Sequence, residues 1–294
     1  MATTGGSLHA DPEARAALDR LYDAVWPGLV ERIARARQLG ADWYEVSTPF
    51  AHFEEGRALA HVGVVPIPLV MEGERVNVAG IHAVATHPDH RRRGLVRGVL
   101  ERAIAFAEER FATQQLTTFV PEVFTGHGFR RLPQHHTVVA MPKRDRPSLA
   151  PVSIDDAPTR ERLRALVRQR TPVSHRLGPI DGGHMVFINE VLETGGLERF
   201  RYDPELDVAV VVREREGALE VMDLIAREVP PLDEVLARLD TQLERARLCF
   251  TPDRFDVVPL AVEPAWPEDS VMARGPYPPE EHGAPFVLPP LAHC

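Results

Sequence analysis

The chain has 294 residues, 44% hydrophobic and 26% charged, which is enough to bury a core in each of two domains and is not the composition of a disordered polymer. Its formal net charge of −9 argues against general affinity for nucleic acid or for an anionic membrane, so a local cluster of arginines becomes informative. Cys249 and Cys294 provide no disulfide framework, Met1–Ser7 lacks the basic and apolar regions of a signal peptide, and no apolar run nears a membrane span; a cytoplasmic, reducing setting is expected.

In chain order, Leu18, Leu21, Tyr22, Val25, Leu29 and Ile33 recur at three- and four-residue spacing, which predicts two helices between Asp11 and Gly40, broken at Pro27-Gly28. Leu59 to Met71 and Val76 to Thr86 read as strands joined by the turn Glu72-Gly73-Glu74. An amphipathic helix follows, with Leu95, Val99, Leu100, Ala103, Ile104, Ala107 and Phe111 on one stripe. Leu116–Val120 is a short strand, Pro121 to Gly126 starts a helix, and Thr137–Met141 is another strand. Pro142 to Pro158 reads as an interdomain linker, dividing the chain into residues 1–145 and 154–294. Beyond it, Arg160–Arg168 is expected as a helix, Val208–Val212 and Leu219–Ala226 as paired strands, Pro231–Arg247 as a helix and Arg247–Phe250 as a strand. The proline-rich tail from Pro264 is expected to run extended over a surface.

The chemistry concentrates where the strand ending Ile81-His82-Ala83-Val84-Ala85-Thr86 meets His87-Pro88-Asp89-His90-Arg91-Arg92-Arg93-Gly94 and a helix. The first turn of a helix carries unpaired N–H groups and partial positive charge, which suit a phosphate. Gly94 admits a bulky anion, and the flanking arginines supply charge-assisted hydrogen bonds. Arginines oppose the helix dipole at this end and are a poor choice for stability alone, against the competing reading of a solvated arginine cluster at a helix start. The pattern predicts a polyphosphate site.

Arg91-Arg92-Arg93-Gly94-Leu95 resembles the acetyl-CoA loop of the GCN5-related N-acetyltransferase (GNAT) superfamily, with Val96 where the family has a small residue. Phe124-Thr125-Gly126-His127-Gly128-Phe129 is similar to the family's second signature, and together the two span about Val76 to Met141. The resemblance implies an α+β fold and transfer of acetyl from acetyl-CoA to a primary amine of a small molecule or peptide, in a ternary complex. It implies that the backbone of Val84, Ala85 and Thr86 pairs with pantetheine, and that Arg91, Arg92, Arg93, Gly94, Leu95, Val96 and Arg97 hold the pyrophosphate. His82 stands where some members place a base; a histidine packed beside the sheet is the competing reading. Strand alternation points His82, Val84 and Thr86 to one face. Phe124 occupies the position of the family's usual tyrosine acid and has no proton to give. That departure leaves an acyl-CoA-binding regulator, or an acyltransferase with another acyl chain or acceptor, as alternatives.

The C-terminal half repeats a strand–strand–helix–strand order, but where an Arg-x-x-Gly loop would fall it reads Ala226-Arg227-Glu228-Val229-Pro230-Pro231. It is similar to the degenerate second module of tandem members such as the enhanced-intracellular-survival acetyltransferases, without their sterol-carrier-like domain. The resemblance also suggests that the apolar tail Pro285–Cys294 docks between modules and brings Cys294 or His293 near the acceptor, against the alternative of surface packing. His87/His90 and His135-His136 lack spaced metal-ligand partners, so no metal is expected. A homo-oligomer is compatible with the sequence, which leaves the oligomeric state open.

Overall fold

The computed structural model describes residues 8–144, 147–180, 184–266 and 270–294; the reading of Met1–Ser7 lies outside them. The chain opens with α1 (Pro12–Val25), capped by the Asp11 carboxylate on the amides of Glu13 and Ala14, and α2 (Leu29–Ala36), separated where Gly28 takes φ +81°. A short helix α3 (Trp43–Val46) leads into β1 (Thr48–Glu54), β2 (Arg57–Met71) and β3 (Glu74–Thr86). Then come α4 (Leu95–Glu108), β4 (Gln114–Thr118), α5 (Glu122–Thr125), β5 (Arg130–Arg131) and β6 (His135–Ala140). The second half holds β7 (Ala150–Pro151), α6 (Ala157–Arg168), β8 (Leu177–Pro179), α7 (His184–Thr194), β9 (Phe200–Asp203), β10 (Val208–Arg215) and β11 (Ala218–Ala226). It closes with α8 (Leu232–Ala237), β12 (Arg245–Leu248), β13 (Ala261–Pro264), β14 (Ser270–Arg274) and α9 (Pro278–Glu281).

The expected α+β architecture of two tandem mixed sheets is present. Among the described residues, each sheet has seven strands. The first runs β1-β2-β3-β4-β14-β5, with β8 paired to β2; the second runs β13-β6-β12-β11-β10-β9-β7. Set side by side, the orders show a reciprocal exchange. β6, from the first half, lies antiparallel between β12 and β13, while β14, from the second half, lies antiparallel between β4 and β5. The parallel pair β3–β4 has its counterpart in β11–β12. The second sheet therefore contains one strand encoded before the linker, β6, and the first contains two encoded after it, β14 and the short β8.

Four apolar clusters hold this together. The stripe Val99, Leu100, Ala103, Ile104 and Ala107 of α4 packs on one face of the first sheet, each larger member contributing about 1.5–3 kcal/mol of burial. On the opposite face α1, α2, α6 and α7 fill the space between the two sheets, with Leu18, Ile33, Phe187 and Phe200 at the centre. A third cluster joins Ile67, Leu69 and Tyr277 to Phe286 and Leu288 of the tail, and a fourth packs α8 on the second sheet.

Two expectations are corrected. The helix expected over Pro231–Arg247 stops at Ala237, because Thr241 accepts a hydrogen bond from the amide of Leu243 in a local turn and β12 starts at Arg245. The tail does not lie on a surface: Ser270–Arg274 is a central strand, and Phe286, Val287, Leu288, Leu291 and Ala292 are buried. A strand edge on β4 with unpaired amides needed a partner, and the tail supplies it. No described helix is long and apolar enough to cross a bilayer.

Candidate active site

The site begins with a defect in β3. His61 of β2 pairs with Ala85 and Gly63 with His82, so Ala83 and Val84 together oppose Val62 alone. Ala83 takes φ +48°, a costly conformation for alanine that persists only where the surroundings enforce it. Here they do. His61, with no exposed surface, places Nδ1 2.9 Å from the Ala83 carbonyl oxygen, which requires the proton on Nδ1. Its Nε2 then accepts from the Tyr22 hydroxyl at 3.0 Å. Burial pulls His61 down to about 4, so the ring stays neutral in this role.

The bulge breaks the alternation expected for His82, Val84 and Thr86. Val84 joins Ile81 and α4 on one face, whereas His82 turns to the other, its ring 4.7 Å from that of Trp43 and its Nε2 2.7 Å from the Ser47 hydroxyl. The ring lies directly over Gly63, where a Cβ would overlap the imidazole. Burial lowers His82 to about 3, assisted by His61 and His9, so it is a neutral imidazole at physiological pH.

Beyond the bulge the sheet opens. β3 and β4 pair only at Ala79–Gln114 and Gly80–Gln115; past that point β3 keeps only β2 and β4 keeps only β14. The amide of His87 donates to Leu59 of β2, so period-two alternation turns the amides of Thr86 and Val84 toward the gap and that of Ala85 away from it. Cys294 sits at the apex. Its backbone oxygen accepts from the Thr117 amide at 2.7 Å, and its Sγ lies 3.3 Å from the Gln115 carbonyl oxygen. Gly80 makes room: a Cβ there would come within 2.9 Å of that sulfur. Burial pushes the Cys294 thiol up to about 12, so it remains protonated.

The tail reaches this point through a chain of polar ties between the two sheets. Phe286 accepts from the His135 amide, Val287 exchanges hydrogen bonds with the Thr251 hydroxyl, and Leu288 donates to the Gln134 side chain. Asn189 of α7 then donates to the carbonyls of Leu291 (3.0 Å) and His293 (2.8 Å). His293 spends its Nε2 on the Leu288 carbonyl, and burial lowers it to about 4; its place is structural.

The arginine loop lies at the open end of the gap. His87 accepts from the Asp89 amide in a short 3₁₀ turn, Arg92 takes φ +63° and Gly94 φ +72°, and α4 begins at Leu95. A Cβ placed on Gly94 or Gly98 would meet nothing within 4 Å, so free space faces the first turn of α4. Arg93 is held 3.0 Å from Glu54 and 2.7 Å from His90; Arg91 and Arg92 are exposed. Phe124 is buried against the α4 face, its ring 6.1 Å from that of Phe129. Its burial in this cluster fits a phenylalanine and puts no phenol at that position. Beside His82 and Cys294 a cavity of about 290 Å³ opens toward α2 and α7.

The family model described as acetyltransferase (GNAT) domain matches residues 18–132, from α1 through β5. Residues 18–132 are therefore similar to the acetyltransferase (GNAT) domain. Solved structures with the same overall fold extend over both modules. A probable N-acyltransferase from Enterococcus faecalis V583 is 16% identical with a TM-score of 0.57, over 95% of this chain and 73% of its own. Eis1 from Mycobacterium abscessus is 15% identical with a TM-score of 0.52, over 89% and 71%. A GCN5-related N-acetyltransferase from Anabaena variabilis is 13% identical with a TM-score of 0.52, over 90% and 71%. No curated protein matches the chain.

The arginine loop and β3 of the matched segment meet Cys294 of the tail at one gap, and His82 reaches it from the far side of the sheet. The residues that sequence reasoning missed are those that hold the others: Tyr22, His61, Ser47 and Asn189. Isolated glycines inside two strands, Gly63 and Gly80, were the available signal that something packs closely there. The second module has a bulge at the same place, since Val211 and Val212 pair with Asp223 and Val221 and leave Met222 unpaired. There the position of the gap is closed by Arg170, bound to Asp223 at 2.6 and 2.8 Å with both side chains buried.

The buried neutral histidines give a pH prediction. His61, His82, His136 and His293 have folded values near 4, 3, 4 and 4, against about 6.5 in the unfolded chain. Between those limits the unfolded state binds more protons. Stability is therefore complete above about pH 6.5 and falls as pH drops toward 4, by up to about 1.4 kcal/mol per pH unit for each ring. Glu190, raised mainly by burial, acts in the opposite sense and offsets a fraction of this. The urea midpoint is expected to be clearly lower at pH 5 than at pH 7.5; equal midpoints would show that these rings are not buried neutral.

Proposed function

We propose that the protein is an acetyl-CoA-dependent N-acetyltransferase that transfers acetyl directly to a primary amine in a ternary complex. The observation that carries this reading is the β3–β4 gap, with open space before α4 at one end and His82 with Cys294 at the other. The site fits acetyl-CoA: the α4 first turn and Arg91–Arg97 would hold the pyrophosphate, and the amides of Val84 and Thr86 face where pantetheine would pair. Arg93, already paired with Glu54, would exchange that carboxylate for phosphate.

In the reaction a C–N bond forms, the C–S bond breaks, nitrogen loses a proton and sulfur gains one. In this reading His82 would accept the proton, and the Ser47 hydroxyl fixes its ring. A base lowered this far is weak, so its service is greatest for an amine that arrives uncharged. A thiol held near 12 is not a nucleophile at neutral pH, which favours direct transfer over an acyl-cysteine intermediate. The buried Phe124 favours one rival, an acyl-CoA-binding regulator with little turnover.

Calorimetry tests the reading. Acetyl-CoA is expected to bind the wild type at micromolar Kd, and the double variant Arg93→Ala/Gly94→Glu to show no binding, because the new carboxylate would face the phosphates. No binding by the wild type removes the proposal. Binding without thiol release on any amine selects the regulator.

A further inference from the structure

Resting on the acetyltransferase reading, the tautomer of His82 decides whether that residue can serve as the base at all. A neutral imidazole carries a proton on one nitrogen and a lone pair on the other. Among the described residues the ring makes one hydrogen bond, between Nε2 and the Ser47 hydroxyl at 2.7 Å. If Ser47 donates, it occupies the lone pair of Nε2 and the proton sits on Nδ1. The ring then has nothing left with which to take a proton from an amine. If Nε2 donates, Nδ1 keeps a free lone pair, and the hydrogen of Ser47 needs an acceptor elsewhere.

His9 supplies one. It lies just ahead of α1 and against α3, with Nδ1 3.1 Å from the Tyr44 carbonyl oxygen and its ring edge-on to that of Tyr44 at 5.1 Å. A carbonyl only accepts, so the proton is on Nδ1 and Nε2 carries the lone pair. Burial lowers His9 and keeps the ring neutral. Its Nε2 is enclosed and has no hydrogen-bond partner among the described residues. A buried acceptor left in that condition costs about 1–3 kcal/mol. Ser47 is at hand, because the His9 ring rests against the Ser47 backbone, and His9 is near enough to His82 to disfavour a charge there.

The chain holds a finished example of the same arrangement. His61 spends its Nδ1 proton on the Ala83 carbonyl and accepts the Tyr22 hydroxyl at Nε2. His9 repeats the first half of this with Tyr44 and lacks only the hydroxyl.

We propose that Ser47 and His9 are positioning residues that hold His82 as the Nε2–H tautomer. His82 donates to Ser47, the Ser47 hydrogen serves Nε2 of His9 directly or through one bridging water, and Nδ1 of His82 keeps its lone pair for the amine. The proton passes from the amine nitrogen to Nδ1 as the C–N bond forms, without the ring giving up Ser47. Sulfur departs with the C–S electron pair and gains a proton in turn.

Long-range proton–nitrogen correlation NMR on the full chain, isotopically labelled at histidine, reads the tautomers near neutral pH. Loss of a signal in His82→Gln and in His9→Ala assigns the two rings. His82 is expected to show a pyrrole-type Nε2 and a pyridine-type Nδ1, and His9 the reverse. In His9→Ala the Ser47 hydrogen loses its acceptor and turns onto Nε2, so the Nδ1–H form of His82 is expected to rise about tenfold relative to the other. His9→Gln, whose side-chain oxygen accepts, should keep the wild-type His82 spectrum. Wild-type His82 with its proton on Nδ1 overturns the proposal whether or not the variants fold, and so does a His82 spectrum that ignores His9→Ala. Calorimetry with acetyl-CoA on the same sample separates the two readings. The expected tautomers without acetyl-CoA binding remove the transferase and leave the hold on His82 standing; acetyl-CoA binding with an Nδ1–H His82 removes the hold alone.

Discussion

Residues 1–145 expressed without the rest of the chain will not form a folded domain. Such a fragment would carry β6 without β12 or β13 to pair with, and would leave β4 bare where β14 belongs. It would also lose Val271, Met272, Phe286, Leu288 and Leu291 from the apolar clusters, each fully buried in the intact chain. At about 1.5–3 kcal/mol per side chain, that loss is comparable to the whole stability of a domain, about 5–15 kcal/mol. Circular dichroism during urea titration is expected to show no cooperative transition for the fragment. Adding residues 266–294 as a separate peptide should restore part of it. A cooperative transition in the fragment alone would show that the exchanged strand is dispensable.

Removing Ala292–Cys294 is expected to lower turnover by about 100-fold or more while acetyl-CoA binding stays within about twofold. The deletion takes away the oxygen on the Thr117 amide and the sulfur beside Gly80, so it opens the apex of the gap, but it touches nothing in Arg91–Arg97. Cys294→Ser separates the backbone contribution from the thiol. Because the thiol is held protonated, the serine variant should keep most of the activity. Full turnover by the truncated chain would remove Cys294 from the site. Loss of activity in the serine variant equal to that of the deletion would mean that the sulfur has a chemical task.

Much of the first half was legible because its signals are local. Pro27-Gly28 does break the helices, the α4 stripe is buried as its spacing predicts, and the loop from His87 to Gly94 sits between strand and helix. What escaped depends on residues far apart in the chain. Nothing in Ser270–Arg274 says that its partner is Gln114–Thr118, and a five-residue strand among prolines reads as an extended tail. Alternation placed His82 with Val84, since a period-two pattern contains no notice of a bulge; its cause lies in His61, which reaches Ala83 from another strand and is itself held by Tyr22 of a helix. The gap itself is a property of two strands parting, which no single segment encodes. Cys294 could be named from the resemblance, but Asn189, which holds the residues before it, lies in a helix the periodicity did not announce.

The exchanged strands also set a timetable for synthesis. About 150 residues separate β4 from the strand that covers its edge. At roughly 5–20 residues per second, the ribosome leaves that edge uncovered for about 8–30 s. During this interval the newborn first module exposes unpaired amides beside the apolar side chains that will later receive the tail, the combination that invites pairing with a neighbouring nascent chain. Slow translation of the second half should therefore cost soluble yield, and early chaperone engagement should recover it.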